Sequence, residues 1–175
     1  MPDSAFYIRK LEDSDTIQNF KSGDQTFLPL KTFLQKQAKH FQQASIAQTY
    51  VAVTGSKNIL GYLTLTCSEI DLQNGYEITD CVQANNYAFL PAVKIARLAV
   101  DARYRSGGIG STLIDYAIAL ILDRIAVNVG CRFVVTDAKS EAVSFYQKQG
   151  FILLDSEGNQ ATEHHLMFLD LLSLG

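Results

Sequence analysis

The sequence predicts one domain, residues 1–175, built on a mixed α/β sheet. Three observations predict it. Short apolar segments of strand length alternate along the chain with stretches of helical spacing. The run Ala96–Thr112, ARLAVDARYRSGGIGST, joins an apolar strand pattern to a basic, glycine-rich turn and then to a strongly apolar helix. A chain of 175 residues with 47% hydrophobic and 19% charged content is long enough to bury one substantial core and short for two.

Phe6–Leu11 (FYIRKL) alternates weakly as a first strand. Asp13–Asp15 then offers capping side chains to a short helical stretch that ends near Ser22-Gly23. In a second, clearer helix Phe27, Leu30, Leu34, Ala38 and Phe41 recur at helical spacing, and Pro29 falls in a first turn, where a missing N–H is tolerated. Thr49–Val53 (TYVAV) and Ile59–Ile70 (ILGYLTLTCSEI) flank the turn Gly55–Asn58 and are expected to pair antiparallel. From Asp71 to Pro91 the pattern dissolves into a polar stretch with Asn74-Gly75 and Asn85-Asn86, expected to be a long loop of the kind that is often functional.

Ala92–Val100 restores the strand pattern, with Val93, Ile95 and Leu98 turned inward. Ile109–Ile125 sets Ile109, Leu113, Tyr116, Ala117, Leu120 and Ile121 on one broad stripe, the pattern of a helix packed on a sheet. Cys131–Thr136 reads as a buried strand, Ser140–Gln149 as a short helix closed by Gly150, and Phe151–Leu154 and Glu163–Leu169 as the last strands. The order strand, turn, helix, strand from Ala92 to Thr136 makes a right-handed crossover and sets the glycine turn at the carboxyl end of a strand.

Composition narrows the function classes. A formal net charge of −3 carries no whole-molecule signature of a nucleic-acid binder, so any such contact must be local. No apolar run reaches the length of a membrane span and none follows a basic leader, so a cytoplasmic protein with no membrane partner is expected. Cys67, Cys81 and Cys131 are odd in number and widely spaced, against a disulfide framework or a cysteine zinc site, and are expected as small buried side chains. His164 and His165 are neighbours on a strand and point to opposite faces, and His40 has no partner at helical spacing, so no metal site is expected.

The glycine turn carries the chemistry. Free backbone N–H groups at a helix N-terminus form an anion site, because the amides and the helix dipole both favour negative charge. Lys94, Arg97, Arg103 and Arg105 crowd the same region. A GxxxxGK[ST] loop is absent because no Lys follows the second glycine, and a dinucleotide GxGxxG would need glycine where Leu113 stands. The turn instead reads Arg105-Ser106-Gly107-Gly108-Ile109-Gly110, an RxxGxG spacing. Gly108 and Gly110 let main chain approach a diphosphate without Cβ interference, and Arg105 supplies charge.

Preceded by IARLAV and followed by a helix, CRFVVTDA and SEAVSFYQKQGF, this turn resembles the acetyl-CoA signature [RQ]xxGx[GA] of the GNAT superfamily of N-acetyltransferases, over Ala92–Leu154. The resemblance implies a mixed, mostly antiparallel sheet flanked by helices, with acetyl-CoA as cosubstrate. It implies that main-chain groups along Leu98, Ala99 and Val100 bind the pantetheine arm. Amides of the segment Arg105, Ser106, Gly107, Gly108, Ile109, Gly110 and Ser111 would hold the diphosphate. Tyr146 would lie by the thioester sulfur, where a phenolic O–H can donate to the departing thiolate; without the resemblance, Tyr146 reads as an aromatic packed beside Phe145. For the proton lost by the incoming amine, Glu69 and Asp71 at the end of a strand are candidates, with Glu77 and Asp80 in the loop. Each also reads as a solvated charge, and a low-pKa amine needs no dedicated base.

The amino-terminal half, with Phe20-Lys21-Ser22-Gly23-Asp24, Leu30, Phe33-Leu34, Ala38 and Thr49-Tyr50-Val51, resembles the GNAT toxins of bacterial toxin–antitoxin modules. That resemblance implies the α-amine of aminoacyl-tRNA as acceptor, a ribbon-helix-helix antitoxin as partner, and room for a homodimer. Lys31, Lys36, Lys39 and His40 on the second helix would meet phosphates, or form an ordinary solvated face. Two alternatives stand beside it: a GNAT enzyme acting on a small-molecule or protein amine, and a non-catalytic acyl-CoA-binding sensor module.

Overall fold

The computed structural model describes residues 5–73 and 75–174, so Asn74 of the expected Asn74-Gly75 turn lies outside the described residues. Seven strands, β1 (Phe6–Lys10), β2 (Gln48–Thr54), β3 (Ile59–Ile70), β4 (Leu90–Val100), β5 (Phe133–Lys139), β6 (Ile152–Leu153) and β7 (His164–Asp170), run in the sheet order β1-β2-β3-β4-β5-β7-β6. Five α-helices accompany them: α1 (Leu28–Lys36), α2 (Ala38–Gln43), α3 (Ile109–Leu120), α4 (Val143–Lys148) and α5 (Glu157–Gln160). The chain divides into two compact units, Met1–Thr66 with Ile95–Ala117 and Cys67–Lys94 with Ile118–Gly175.

In the first unit β1 and β2 pair antiparallel from Phe6↔Thr54 to Lys10↔Tyr50, and β2 pairs antiparallel with β3 as the two apolar runs predict. The β2–β3 register slips by one residue between Ala52 and Val53, next to the pair Ala52↔Gly61. Leu11, Phe20, Phe33, Leu34, Val51, Val53 and Tyr62 form the core. The expected short helix after Asp13–Asp15 is absent: residues 12–20 hold only turns at 13–14 and 18–19 and an isolated bridge from Thr16 to Asn58. The reason is where Asp15 spends its carboxylate. It accepts from Glu12 N behind it at 2.8 Å and takes a bidentate grip from Arg9 at 2.7 and 2.8 Å, so no oxygen faces forward to cap a helix.

The expected single helix through Phe41 is two, broken at Gln37. Each half answers to its own anchor. The Tyr62 hydroxyl donates to Leu30 O in α1 at 2.7 Å, while the Gln42 carboxamide of α2 bridges Leu11 O at 2.8 Å and Thr49 N at 3.2 Å. Pro29 stands in the first turn of α1 as expected. Leu98 is half-buried rather than turned inward, because residues 96–100 of β4 are not fully covered on either face, whereas Val93 and Ile95 are buried.

In the second unit β4 pairs with β5 in parallel, Ala92↔Phe133 to Lys94↔Val135, as a helical crossover between them requires. β5 and β7 pair antiparallel over seven residues, and β6 adds on β7. Tyr76, Phe133 and Phe168 meet edge to face in a core that includes Ile70, Ile78 and Leu154. Between β3 and β4 the described residues 71–73 and 75–89 are irregular apart from one 3-10 turn at Val82–Asn86, and Leu90 and Pro91, expected in the loop, open β4 instead. The cysteines correct the expectation of burial: Cys67 falls on a solvent-facing position at the end of β3, Cys81 lies in the loop, and Cys131 is half-buried. The helix α5 has a signal passed over in the sequence, since Ser156 caps it by accepting from Asn159 N at 3.2 Å.

Candidate functional site

The glycine turn belongs to the first unit and is fastened at its base by Asp101. Asp101 N donates to Leu60 O at 2.8 Å, and its fully buried carboxylate accepts from Lys21 N (2.8 Å), Arg103 N (3.0 Å), Arg103 Nε (2.9 Å) and Arg103 Nη2 (2.7 Å). Burial alone would push this carboxyl up, but the bonds from the Arg103 guanidinium and from the two amides outweigh it and hold the group below the ordinary carboxylate value. Arg103 also reaches Asn19 O at 3.0 Å, and Ala102 N donates to Lys21 O at 2.9 Å, so the turn is stitched to residues 19–21.

Arg105 is likewise directed inward along the main chain. Its guanidinium donates to Ser22 O and to Val100 O and stacks on Phe27 with its centre 4.3 Å from the ring. Gly23 makes room for it: at φ +88° it sits in the left-handed region, and a Cβ there would stand 3.1 Å from Arg105 Nη1 and from Ala102 Cβ.

Beyond Arg105 the chain turns outward. Ser106 and Gly108 have φ of +67° and +77°, on either side of Gly107, and a left-handed residue within such a turn is the backbone pattern from which anion-binding nests are made. Helix α3 starts immediately after, so the dipole adds positive charge at the same place. Among the described residues, no hydrogen bond is donated by the amides of Ser106, Gly107, Gly108, Ile109 or Gly110. Ser106, Gly107 and Gly108 are exposed, while Ile109 is buried and pins the helix start.

Behind the turn, β3 comes close at Gly61. A Cβ there would stand 3.0 Å from Ile109 Cγ2, 3.1 Å from Ala99 O and 3.2 Å from Leu113 Cδ1, so only glycine lets β3, the Leu98–Val100 end of β4 and α3 meet without displacement. The sequence reading missed Asp101, Gly61 and Gly23. An isolated glycine inside a strand pattern is the signal that points to Gly61, and an Asp between a strand and a turn is the signal for Asp101.

The predicted basic patch is mostly committed to the protein itself. Arg103 is held by Asp101, Arg105 by carbonyl oxygens, and Lys94 by an ion pair with Asp137 in the second unit. The groups left open at the turn are therefore the main-chain amides of Ser106 to Gly110 rather than these side-chain cations. Lys39 donates to Asp13 O at 2.7 Å, whereas Lys31, Lys36 and His40 make no side-chain hydrogen bond or ion pair among the described residues.

In the second unit Tyr146 is buried on α4 between Phe145 and Phe151, whose ring centroids lie 5.3 and 5.4 Å from its own. Burial pushes its phenol above the ordinary tyrosine value, against a smaller opposing effect from its hydrogen bond with Thr136. The group is a protonated phenol at neutral pH and can donate. Glu69 is exposed near the end of β3, with no hydrogen bond or ion pair to its carboxylate among the described residues. Asp71 accepts from Gln73 N at 2.9 Å, Asp80 is held bidentate by Arg132 at 2.8 Å, and Glu77 lies with Asp71, Tyr76 and Tyr87 on a cavity of about 580 Å³ in the loop. His165 bonds Ser140 Oγ and Asn159 O.

A family model described as an acetyltransferase (GNAT) domain matches residues 45–153, more than half of the chain. The chain belongs to the GNAT acetyltransferase family. A Mycobacterium tuberculosis protein (strain ATCC 25618 / H37Rv) named tRNA-acetylating toxin is 27% identical over 164 residues, covering 92% of this GNAT chain and 90% of that protein. The crystal structure of a tyrosine-to-phenylalanine mutant of KacT superposes with a TM-score of 0.83 at 25% identity, covering 97% of this chain and 96% of the other. The GNAT fold is shared further with AtaT complexed with acetyl-methionyl-tRNAfMet, at TM-score 0.82 and 24% identity, over 97% of each chain. Among the described residues, no helix is long and apolar enough to cross a membrane.

Proposed function

We propose that residues 1–175 act as one GNAT domain that transfers the acetyl group of acetyl-CoA to the α-amine of aminoacyl-tRNA. The observation that carries the use of acetyl-CoA is the run of undonated amides from Ser106 to Gly110, held out by Asp101, Arg103 and Arg105 at the start of α3. The acceptor reading is supported by the relative named tRNA-acetylating toxin, which matches this chain nearly end to end.

Acetyl-CoA supplies an acetyl thioester when bound. Amides of the Arg105–Ser111 segment hold its diphosphate and main-chain groups of Leu98, Ala99 and Val100 its pantetheine arm. As the amine nitrogen bonds to the carbonyl carbon and the carbon–sulfur bond breaks, Tyr146 gives its phenolic proton to the leaving sulfur. A phenol kept protonated by burial is suited to that role. The amine's own proton passes to the exposed Glu69 carboxylate. The toxin reading brings with it a ribbon-helix-helix antitoxin, a homodimer and a cytoplasmic location.

Incubation of the purified protein with acetyl-CoA and a set of aminoacyl-tRNAs, followed by mass spectrometry of the released amino acids, tests this. N-acetylated amino acid from at least one tRNA is the expected result. Turnover of a panel of small or protein amines, with every aminoacyl-tRNA untouched, would shift the reading to a different acceptor. Acetyl-CoA binding with no turnover at all would shift it to a sensor module.

A further inference from the structure

Three arginines of this chain are half-buried: Arg9, Arg97 and Arg132. Arg9 is neutralised by the buried Asp15 and Arg132 by Asp80 and the buried Asp170. Arg97, on the part of β4 that leads into the glycine turn, has no such partner. Its guanidinium carbon sits over the ring of Phe33 in α1, 3.8 Å from the centroid, and the guanidinium makes no hydrogen bond or ion pair among the described residues. The nearby Tyr62 hydroxyl is committed to Leu30 O.

A partly desolvated cation with no counter-charge is costly, and the fold avoids that cost at the other two positions. Stacking uses only the face of the guanidinium, which leaves its edge of N–H donors available in the geometry that grips a phosphate. Among the described residues, no side-chain nitrogen or oxygen is sealed from solvent without a partner, so the Arg97 edge is reachable. The surrounding charge has the matching sign. The unit that contains Arg97 carries ten lysines and arginines against seven aspartates and glutamates, whereas the other unit carries five against eleven.

We propose that Arg97, stacked on Phe33, is the contact for a backbone phosphate of the acceptor RNA. This rests on the aminoacyl-tRNA reading given above. An amino acid esterified to tRNA has no free carboxylate, so the acceptor's anions are its phosphates. The coenzyme's phosphates are the other source of the same chemistry, and the turn already offers them a run of main-chain amides.

The test compares wild type with Arg97→Gln and Arg97→Lys in the full chain. It measures aminoacyl-tRNA acetylation against tRNA and salt concentration, and acetyl-CoA affinity by calorimetry. Arg97→Gln is expected to raise the KM for aminoacyl-tRNA about tenfold and to reduce the slope of log affinity against log salt by about one, the signature of one lost phosphate contact. Its acetyl-CoA affinity is expected to stay within about twofold of wild type, as follows from a contact outside the coenzyme. Arg97→Lys keeps the charge, and with it the salt slope, but loses the planar fork, so its KM rises by a smaller factor. It also tests the proposal should the glutamine variant fold poorly. An unchanged KM and slope in Arg97→Gln overturns the proposal and leaves the acceptor reading intact. A loss of acetyl-CoA affinity overturns it in favour of a coenzyme contact. A wild-type protein that acetylates no aminoacyl-tRNA overturns both.

Discussion

Replacing Asp101 tests whether the glycine turn is held in place by this carboxylate. Its carboxylate is fully buried and accepts four hydrogen bonds, two from main-chain amides of Lys21 and Arg103 and two from the Arg103 guanidinium. Arg103 is half-exposed and can rehydrate, so its share is discounted to about 1 kcal/mol or less. The two amides lose their acceptor in a confined place, at about 1–3 kcal/mol each. Asp101→Ala is therefore expected to cost about 2–7 kcal/mol, which at about 2–4 °C per kcal/mol for a chain of this size lowers Tm by roughly 4–28 °C. Asp101→Asn keeps one carbonyl acceptor and should fall about midway. Because Asp101 ties residues 19–21 to the start of the turn, acetyl-CoA affinity should fall along with stability. Scanning calorimetry and titration calorimetry on the same samples check both. A Tm within about 2 °C of wild type, or an unchanged acetyl-CoA affinity in Asp101→Ala, would refute the claim that this carboxylate holds the turn.

Three further outcomes are expected. Gly108→Val places a β-branched side chain at φ +77° with no protein atom within 4 Å of its Cβ. Its main effect should be on the incoming ligand, with acetyl-CoA affinity weakened by about tenfold or more and a stability loss of about 1–2 kcal/mol from backbone strain; titration and thermal melts separate the two. Gly61→Ala should cost about 1–3 kcal/mol by overpacking against Ile109, Ala99 O and Leu113, a loss visible in chemical denaturation. Tyr146→Phe should leave acetyl-CoA affinity unchanged and lower kcat by about 10²-fold or more if its hydroxyl donates to the leaving sulfur. An unchanged kcat would reduce Tyr146 to packing with Phe145 and Phe151.

The parts of this fold that were legible in the sequence are those where hydrophobic period speaks: β2 and β3 with their turn, β4, the start of α3 and β5. The turn between β4 and α3 was legible from its glycines, and Gly108, like Ser106, stands there in the left-handed region. Side-chain destinations were not. Arg103 and Arg105 read as charges awaiting a phosphate, yet Asp101, Val100 O and Ser22 O already hold them. The partners lie up to 83 residues away in sequence, a separation at which no local pattern operates. The segment after Asp13 failed for a related reason: capping residues were present, but Arg9 claimed the carboxylate that would have capped.

That failure has a general form in this molecule. Among the described residues three aspartates are buried, Asp15, Asp101 and Asp170, and each meets an arginine: Arg9, Arg103 and Arg132. Each pair fixes a stretch with little regular structure. Asp15 closes the turn from Glu12, Asp101 ties residues 19–21 to the glycine turn, and Asp170 accepts from Tyr76 and, through Arg132 and Asp80, holds the loop after β3. In all three, burial raises the carboxyl's pKa, but the hydrogen bonds to arginine and main chain outweigh it and the net shift is downward. A depressed folded-state value means that the stabilisation is fully present above the ordinary carboxyl value of 3.8 and is lost as pH falls through the lower folded value. Acid should therefore loosen these irregular segments before the strands that hydrophobic period built. Hydrogen exchange followed as pH is lowered below 3.8 should show protection lost around residues 12–21, 76–80 and 101–105 before it is lost in β2, β5 and β7. Simultaneous loss across strands and loops would show that the aspartate pairs hold the whole fold rather than its irregular parts.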